Sequence, residues 1–128
     1  MIARAMVMAG ALLLGMTVAS PVVRAESKAA GEAAFKKQCV SCHSLVPGMS
    51  TIAPDLHGVM GRKVGAVADY KYSDAMKKAE FTWTPAKMTE WLASPHGVMP
   101  ETEMSYPGEK DAKVRAEIVE YVEHLKAK

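Results

Sequence analysis

The segment Cys39-Val40-Ser41-Cys42-His43 constrains this chain more than any other feature, because it contains its only two cysteines. Cysteines at this spacing can form a disulfide, bind a metal or attach a haem covalently. A zinc site would need a second pair of ligands, and none occurs at zinc-finger or zinc-ribbon spacing. A thioredoxin-like motif would need a preceding strand in a βαβ context, which the sequence does not indicate.

The histidine directly after the second cysteine favours haem. Two thiols separated by one helical turn can add to the two vinyl groups of haem and form thioethers, and the adjacent imidazole then ligates the iron. Cys-x-x-Cys-His is the recognised signature of this attachment. We therefore predict one haem c, attached through Cys39 and Cys42 and ligated by His43. A disulfide is the simpler alternative if the protein enters an oxidising compartment.

The N-terminal segment has the features of a secretory signal peptide. A short basic start precedes the uncharged apolar run Ala5–Ala19, and Ser20-Pro21 interrupts that run. The residues up to Ala25 suit a signal peptidase, with Ala19 as a less favoured cleavage position. A retained anchor is disfavoured because a membrane-spanning helix needs roughly 18 to 20 apolar residues. We predict a cleaved signal peptide at residues 1–25, one domain at residues 26–128, and a periplasmic location.

The charge balance says little about long-range attraction. Cleavage after Ala25 would remove two of the 16 basic residues and none of the 14 acidic ones, so the mature chain would have no net charge. Partner recognition would then depend on local patches. The chain has no basic tract with interleaved aromatic residues, so nucleic acid is disfavoured as a partner.

The spacing of apolar residues predicts an all-α protein with long ordered loops. No segment shows the alternation of a strand. The predicted helices are 27–38 with Ser27 as N-cap, 73–79, one beginning at Thr84-Pro85 and ending at Ser94-Pro95, and 109–125. The stretches 44–68 and 95–108 are predicted loops.

Further motifs follow one another along the chain. They are Phe35 before CVSCH, Pro54–Gly58, Gly61–Lys63, Tyr70–Ala75, Trp83, Trp91–Pro95, Pro100–Met104 and Ile118–Val122. In this order they resemble the motifs of the class I cytochromes c. The resemblance implies an all-α class I cytochrome c fold, with three to five helices and ordered loops wrapped around one covalently bound haem. It also implies a contact between the first and last helices, made by Gly31, Phe35 and Tyr121.

A low-spin electron-transfer haem needs a second axial ligand. Met99 and Met104 both lie in the proline-rich loop, which can fold over the far side of the haem, whereas Met76 and Met88 fall on predicted helices and are expected in the core. The family's ligand follows a Pro-x-Thr-x pattern, so the resemblance implies Met104. Ligation by histidine and methionine favours ferrous iron and leaves no open coordination position.

The resemblance also implies residues that support the ligands. The carbonyl of Pro54 would accept the second ring N–H of His43, which fixes the ring. Arg62, Tyr72 and Trp83 would donate hydrogen bonds to the haem propionates. Ordinary core packing is the alternative for Tyr72 and Trp83.

Three positions depart from the family pattern. Trp91 stands where the family more often has a tyrosine near the methionine sulfur. Glu101 replaces a glycine, and Glu103 replaces a lysine. Lysines typically surround the exposed haem edge in this family and meet acidic partners. Our hypothesis is that the docking face of this chain is less basic, and its partner correspondingly less acidic.

We expect a monomeric, exported electron carrier and not an enzyme. The partners implied are a quinol–cytochrome c reductase, a terminal oxidase, a photosynthetic reaction centre or a periplasmic dehydrogenase, with the membrane contacted only through such complexes. One alternative is a haem enzyme or gas-binding cytochrome with a labile sixth ligand. Another is a haem domain tethered by an uncleaved signal segment. A four-helix cytochrome of the other soluble class is disfavoured, because CVSCH lies near the mature N-terminus.

Overall fold

The computed structural model describes Gly15 and residues 17–125, and within this part of the chain it contains five helices and no strand. An isolated antiparallel bridge joins Lys63 and Thr82. None of the described helices is both long and apolar enough to cross a membrane. The predicted all-α fold class is confirmed. In chain order the helices are α1 (Pro21–Gln38), α2 (Asp74–Lys78), α3 (Pro85–Ala93), α4 (Pro95–Val98) and α5 (Ala112–Glu123).

Helix α1 begins earlier than predicted. Ser20 has extended backbone angles and precedes Pro21, and proline suits the first helical position because its fixed φ is already helical. Ser27 therefore lies inside the helix, and its hydroxyl donates to a carboxylate oxygen of Glu120 in α5 at 2.5 Å. The prediction of Ser27 as N-cap is wrong. The predicted cleavage position after Ala25 falls within α1, and cleavage there stays a prediction.

Most of the predicted signal peptide, residues 1–14 and Met16, lies outside the described residues. The part that is described makes little contact with the domain. Val18, Val22 and Val23 are 89%, 66% and 58% exposed. The apolar side chains of this segment therefore contribute little to the core.

Side chains that cap the first turn determine where the short helices α2, α3 and α4 begin. Ser73 accepts the N–H of Met76 at the start of α2, and Thr84 accepts the N–H of Lys87 at the start of α3. Both helices match the prediction. Residues 95–98 were expected in a loop and instead form α4, because the Ser94 hydroxyl accepts the N–H of Gly97 and caps a further turn.

Helix α5 is shorter than predicted at both ends. The carboxylate of Asp111 accepts the N–H groups of Lys113 (2.8 Å) and Val114 (3.3 Å), so the helix begins after Asp111 and not at Glu109. It ends at Glu123, with His124 as the C-cap.

The crossing of α1 and α5 organises the core. A Cβ atom on Gly31 would lie 2.1 Å from the carbonyl oxygen of Glu117, so only glycine permits this approach. Phe35 is 1% exposed and its ring centroid lies 5.2 Å from that of Tyr121. The expected contact between the first and last helices is confirmed. The buried core comprises Phe35, Val59, Met88, Trp91, Leu92, Ile118, Val119 and Val122.

The loop between α4 and α5 returns to the end of α3. At Gly108 φ is +99°, and a Cβ there would lie 2.3 Å from the carbonyl oxygen of Ala93. The next residue, Glu109, donates its N–H to the carbonyl of Leu92 at 2.8 Å. This return closes the segment 99–108, which contains Met104, against the helical core.

Candidate cofactor site

A cavity of about 360 Å³ lies between the end of α1, the loops that follow it and the segment 99–108. Cavities of several hundred cubic ångströms are typical of cofactor sites. Every site residue predicted from the sequence lines this cavity. They are Cys39, Cys42, His43, Pro54, Arg62, Tyr72, Trp83, Trp91 and Met104.

The CVSCH segment continues α1 as a tight turn. The N–H groups of Cys42 and His43 both bond to the carbonyl of Cys39, at 3.2 and 3.0 Å. The two sulfurs are not joined in a disulfide. Burial, helped by the neighbouring Cys42, raises the pKa of the Cys39 thiol to about 11. The reactive thiol of a dithiol redox centre has a lowered pKa, and Cys39 does not share that feature.

His43 is held in one tautomer. Its Nδ1 lies 2.7 Å from the carbonyl oxygen of Pro54, and since a carbonyl only accepts, Nδ1 carries the proton. Burial lowers the pKa of His43, against the opposing effect of the bond to Pro54, so the ring is neutral at pH 7. The lone pair on Nε2 is therefore available to a metal.

The side chain of Met104 is fixed by a neighbouring helix. The indole N–H of Trp91, a residue 4% exposed on α3, donates to the Met104 sulfur at 3.3 Å. The hydroxyl of buried Thr102 accepts the Met104 N–H at 3.3 Å. Met99 instead ends α4, donating its N–H to the carbonyl of Pro95, and does not line the cavity.

The other two methionines considered from the sequence are on the helices expected for them. Met88 is 7% exposed on α3 and belongs to the core, and Met76 packs against that core from α2. Both also line the cavity. Met88 is therefore in the core as expected, whereas Met76 is only partly buried at its edge.

Most of the N–H donors of Arg62 form hydrogen bonds with the neighbouring loop. Its guanidinium donates to the backbone carbonyl of Asp55 at 2.7 Å, to the Asp55 carboxylate at 3.3 Å and to the carbonyl of His57. A guanidinium has five N–H donors, so two are left for a ligand. Sequence reasoning missed Asp55, which is 4% exposed. The available signal was an Asp after Pro54, since Asp often bonds the backbone two residues on.

Tyr72 and Trp83 both line the cavity, and each side chain has one polar hydrogen. The Tyr72 hydroxyl accepts the N–H of Val67 at 3.2 Å, so its own proton is free to donate. Burial raises the pKa of Tyr72, which keeps that proton in place. Trp83 packs edge-on against Trp91, with ring centroids 5.3 Å apart.

Gln38 and Tyr106 also line the cavity, and neither was predicted as a site residue. The Tyr106 hydroxyl donates to the side-chain oxygen of Gln38 at 2.5 Å, and the Gln38 amide donates to Glu109 at 2.8 Å. Burial is the main reason that the pKa of Tyr106 rises to about 12. Gln38 and Tyr106 are 68 positions apart, and nothing in the sequence pairs them.

The lining fits a covalently attached haem. Two thiols, a neutral imidazole and a thioether face a cavity whose other walls are largely apolar and aromatic. Nitrogen and thioether sulfur are common axial donors to haem iron. Among residues 17–125, no group of three or more His, Cys, Asp or Glu side chains forms a separate metal site. The apolar part of the lining includes Ile52, Leu56, Val59, Leu92, Ile118 and Val122.

Comparisons with known proteins agree with this geometry. The family model Cytochrome c matches residues 28–126. Cytochrome c2 of Rhodopila globiformis is 38% identical over 96 residues, which cover 75% of this chain and 91% of the relative. Cytochrome c2 of Blastochloris viridis is 34% identical over 119 residues, which cover 92% of this chain and 91% of the relative.

A solved structure has the same fold. Cytochrome cH from Methylobacterium extorquens superposes with a TM-score of 0.70 and 39% sequence identity, covering 76% of this chain and 97% of the other. The family is thus shown both by sequence, through the family model and its relatives, and by structure. The chain therefore belongs to the cytochrome c family: it has the class I fold, carries one covalently bound haem c, and is a monohaem electron carrier.

Proposed function

We propose that this protein is an exported electron carrier, not an enzyme, whose haem iron is ligated by His43 and Met104. When bound, the haem supplies a centre that gains and loses one electron. The observation that carries the proposal is the position of Met104: its sulfur is held by Trp91 at the wall of the cavity that also contains CVSCH.

His43 provides the first ligand. The hydrogen bond from Nδ1 to Pro54 orients the ring and increases the basicity of Nε2. The lowered pKa of His43, caused by burial, favours the unprotonated Nε2 that a metal ligand requires.

Met104 provides the second ligand. A thioether stabilises ferrous iron more than a second nitrogen ligand does, which suits exchange with high-potential partners. If His43 and Met104 both bind the iron, the protein leaves it no position for a substrate. For this reason we favour electron transfer over catalysis.

Arg62, Tyr72 and Trp83 are proposed to donate hydrogen bonds to the haem propionates. Two N–H groups of Arg62 and the hydroxyl proton of Tyr72 remain free for that purpose. Trp83 lines the same cavity, and its indole N–H is the donor it can offer.

The partner is proposed to be a redox protein with a docking face that is not strongly acidic. The segment from Cys39 to Gly61 contains no lysine or arginine. Its exposed apolar residues include Val46, Met49 and Ile52. Glu103, at the cavity mouth, adds a negative charge.

The physiological setting follows from the same proposal. A signal peptide cleaved after Ala25 would deliver a monomeric domain to the periplasm. There it would carry electrons between complexes such as a quinol–cytochrome c reductase, a terminal oxidase, a photosynthetic reaction centre or a dehydrogenase.

Visible spectra of the purified holoprotein test the ligation. We expect sharp low-spin bands in the reduced protein and a sulfur–iron charge-transfer band in the oxidised protein. Met104→Ala should abolish that band, and Met99→Ala should leave it unchanged. A high-spin wild-type spectrum that is indifferent to Met104→Ala would overturn the proposal and favour a haem enzyme or gas-binding protein.

A further inference from the structure

We propose that Gln38 is a positioning residue for Met104, acting through Tyr106 and Glu109. The inference rests on the proposed ligation by His43 and Met104. Gln38 is the last residue of α1 and directly precedes Cys39. It therefore lies beside the segment that attaches the haem while it bonds to the segment that contains Met104.

The carboxamide of Gln38 bridges two side chains of the second segment. The carboxylate of Glu109 can only accept, so the Gln38 amide nitrogen must face it, at 2.8 Å. The amide oxygen must then face Tyr106, whose hydroxyl donates to it at 2.5 Å. Both hydrogen bonds depend on this one orientation of the amide.

Glu109 is the fixed end of the bridge. Its N–H donates to the carbonyl of Leu92 at 2.8 Å, and its carbonyl accepts from the Arg115 guanidinium at 2.7 Å. The second oxygen of its carboxylate accepts the N–H of Asp111 at 2.9 Å. Contacts with α3, with α5 and with the cap of α5 therefore hold Glu109 in place.

Tyr106 is the end of the bridge near the ligand. It lies two residues after Met104, and its side chain lines the cavity. No other hydrogen bond of its hydroxyl is found among residues 17–125. Loss of the Gln38 contact would leave the backbone between Met104 and Gly108 without this side-chain anchor to α1.

The expected size of the effect follows from the type of bond. The bond from Tyr106 to Gln38 joins uncharged groups, and such a bond changes an equilibrium by about threefold to tenfold. Carbon monoxide competes with Met104 for ferrous iron, so its apparent affinity reports how often the methionine is displaced. We expect loss of this bond to raise that affinity about threefold to tenfold.

The experiment uses the holoprotein with four variants of the bridge and one control variant. Gln38→Met keeps the length of the side chain and removes both bonds, and Tyr106→Phe keeps the ring and removes one. Gln38→Glu places two carboxylates together, whereas Gln38→Glu combined with Glu109→Gln restores both bonds with the charges exchanged. Ser27→Ala is the matched control, because it removes a 2.5 Å bond from α1 to α5 away from the bridge.

Three measurements are compared: carbon monoxide affinity, the sulfur–iron charge-transfer band, and amide hydrogen exchange of residues 103–109. We expect Gln38→Met, Tyr106→Phe and Gln38→Glu to weaken the band and to raise carbon monoxide affinity and amide exchange. In the charge-exchanged double variant all three measurements should return towards the wild-type values. Ser27→Ala should give the wild-type values.

The possible failures are distinguishable. Suppose that the wild-type protein shows the band and that Gln38→Met and Tyr106→Phe both behave like Ser27→Ala. That result overturns the inference and leaves the ligation intact. A double variant no better than Gln38→Glu also overturns the inference. A wild-type protein without the band, which binds carbon monoxide freely, overturns the ligation and the inference together.

Discussion

The indole nitrogen of Trp91 donates a hydrogen bond to the sulfur of Met104 at 3.3 Å. Trp91 is part of α3 and belongs to the buried core, whereas Met104 lies in an irregular segment. The bond therefore connects a rigid helix to a flexible thioether, and an indole has only this one N–H to offer. The tryptophan that departs from the family pattern takes over the contact expected of a tyrosine.

Trp91→Phe tests this contact, because it keeps an aromatic ring and removes the N–H. We expect a weaker sulfur–iron charge-transfer band and a free energy of unfolding lower by about 1 to 3 kcal/mol, from the lost bond and the smaller ring. Spectroscopy of the oxidised protein and chemical denaturation measure the two effects. Met99→Leu, outside the cavity, should leave the band unchanged. An unaltered band in Trp91→Phe would mean that the bond does not position the sulfur.

Gly31→Ala tests the crossing of α1 and α5. Alanine favours a helix over glycine by about 1 kcal/mol, but the new Cβ would lie 2.1 Å from the Glu117 carbonyl oxygen. Backbone atoms cannot move aside without separating the helices, so the clash should dominate. We expect a net loss of about 1 to 3 kcal/mol in the free energy of unfolding, measured by denaturant titration.

The reverse change at an exposed site of α1 provides the control for Gly31→Ala. Ala33→Gly should destabilise by about 1 kcal/mol through helix propensity alone. A Gly31→Ala protein as stable as wild type would show that the two helices do not approach as closely as described.

Glu103→Lys tests the electrostatics of the docking face. Small redox complexes serve as probes of either charge: ferricyanide as the anion and tris(phenanthroline)cobalt(III) as the cation. Since Glu103 is exposed beside the cavity, the substitution should raise the oxidation rate with the anion and lower it with the cation, by about twofold at low salt.

Added salt provides the check on this prediction. The difference between Glu103→Lys and wild type should shrink as salt screens the charge. Glu123→Lys, on the last turn of α5, is the matched charge control and should have a smaller effect. If both variants change the rates equally, the effect belongs to net charge and not to the face around the cavity.

The candidate site could be predicted from the sequence because its chemistry lies in short local motifs. One turn of the chain places the two thiols and the imidazole together, because Cys39, Cys42 and His43 lie within five consecutive residues. Met104 was assigned by resemblance, since Met99 lies in the same loop. The structure gives a physical difference between them: Met99 ends α4, and Met104 lines the cavity.

The contacts that the sequence did not predict join distant residues with no periodic pattern. Gln38 meets Glu109 across 71 positions, and either residue could equally lie on a solvated surface. The prediction of where α1 begins failed for another reason. Ser20 and Ser27 are both acceptable N-caps, and Pro21 favours the earlier one because its φ is already helical.

Asp69→Asn tests a hydrogen bond between loops that depends on pH. Asp69 accepts the N–H of Ser50 at 2.9 Å and its hydroxyl at 3.0 Å, and chiefly the backbone bond lowers the pKa of this exposed carboxyl. A carboxyl with a lowered folded pKa stabilises the protein above its unfolded pKa of about 4. That stabilisation is lost as the pH falls through the folded pKa.

The stability difference between wild type and Asp69→Asn should therefore be largest at neutral pH and vanish in acid. Denaturant titrations at about pH 7, 5 and 3 measure it. A difference that stays constant or grows in acid would contradict the assignment, and Ser50→Ala, which keeps the backbone donor, should show only part of the wild-type pH dependence.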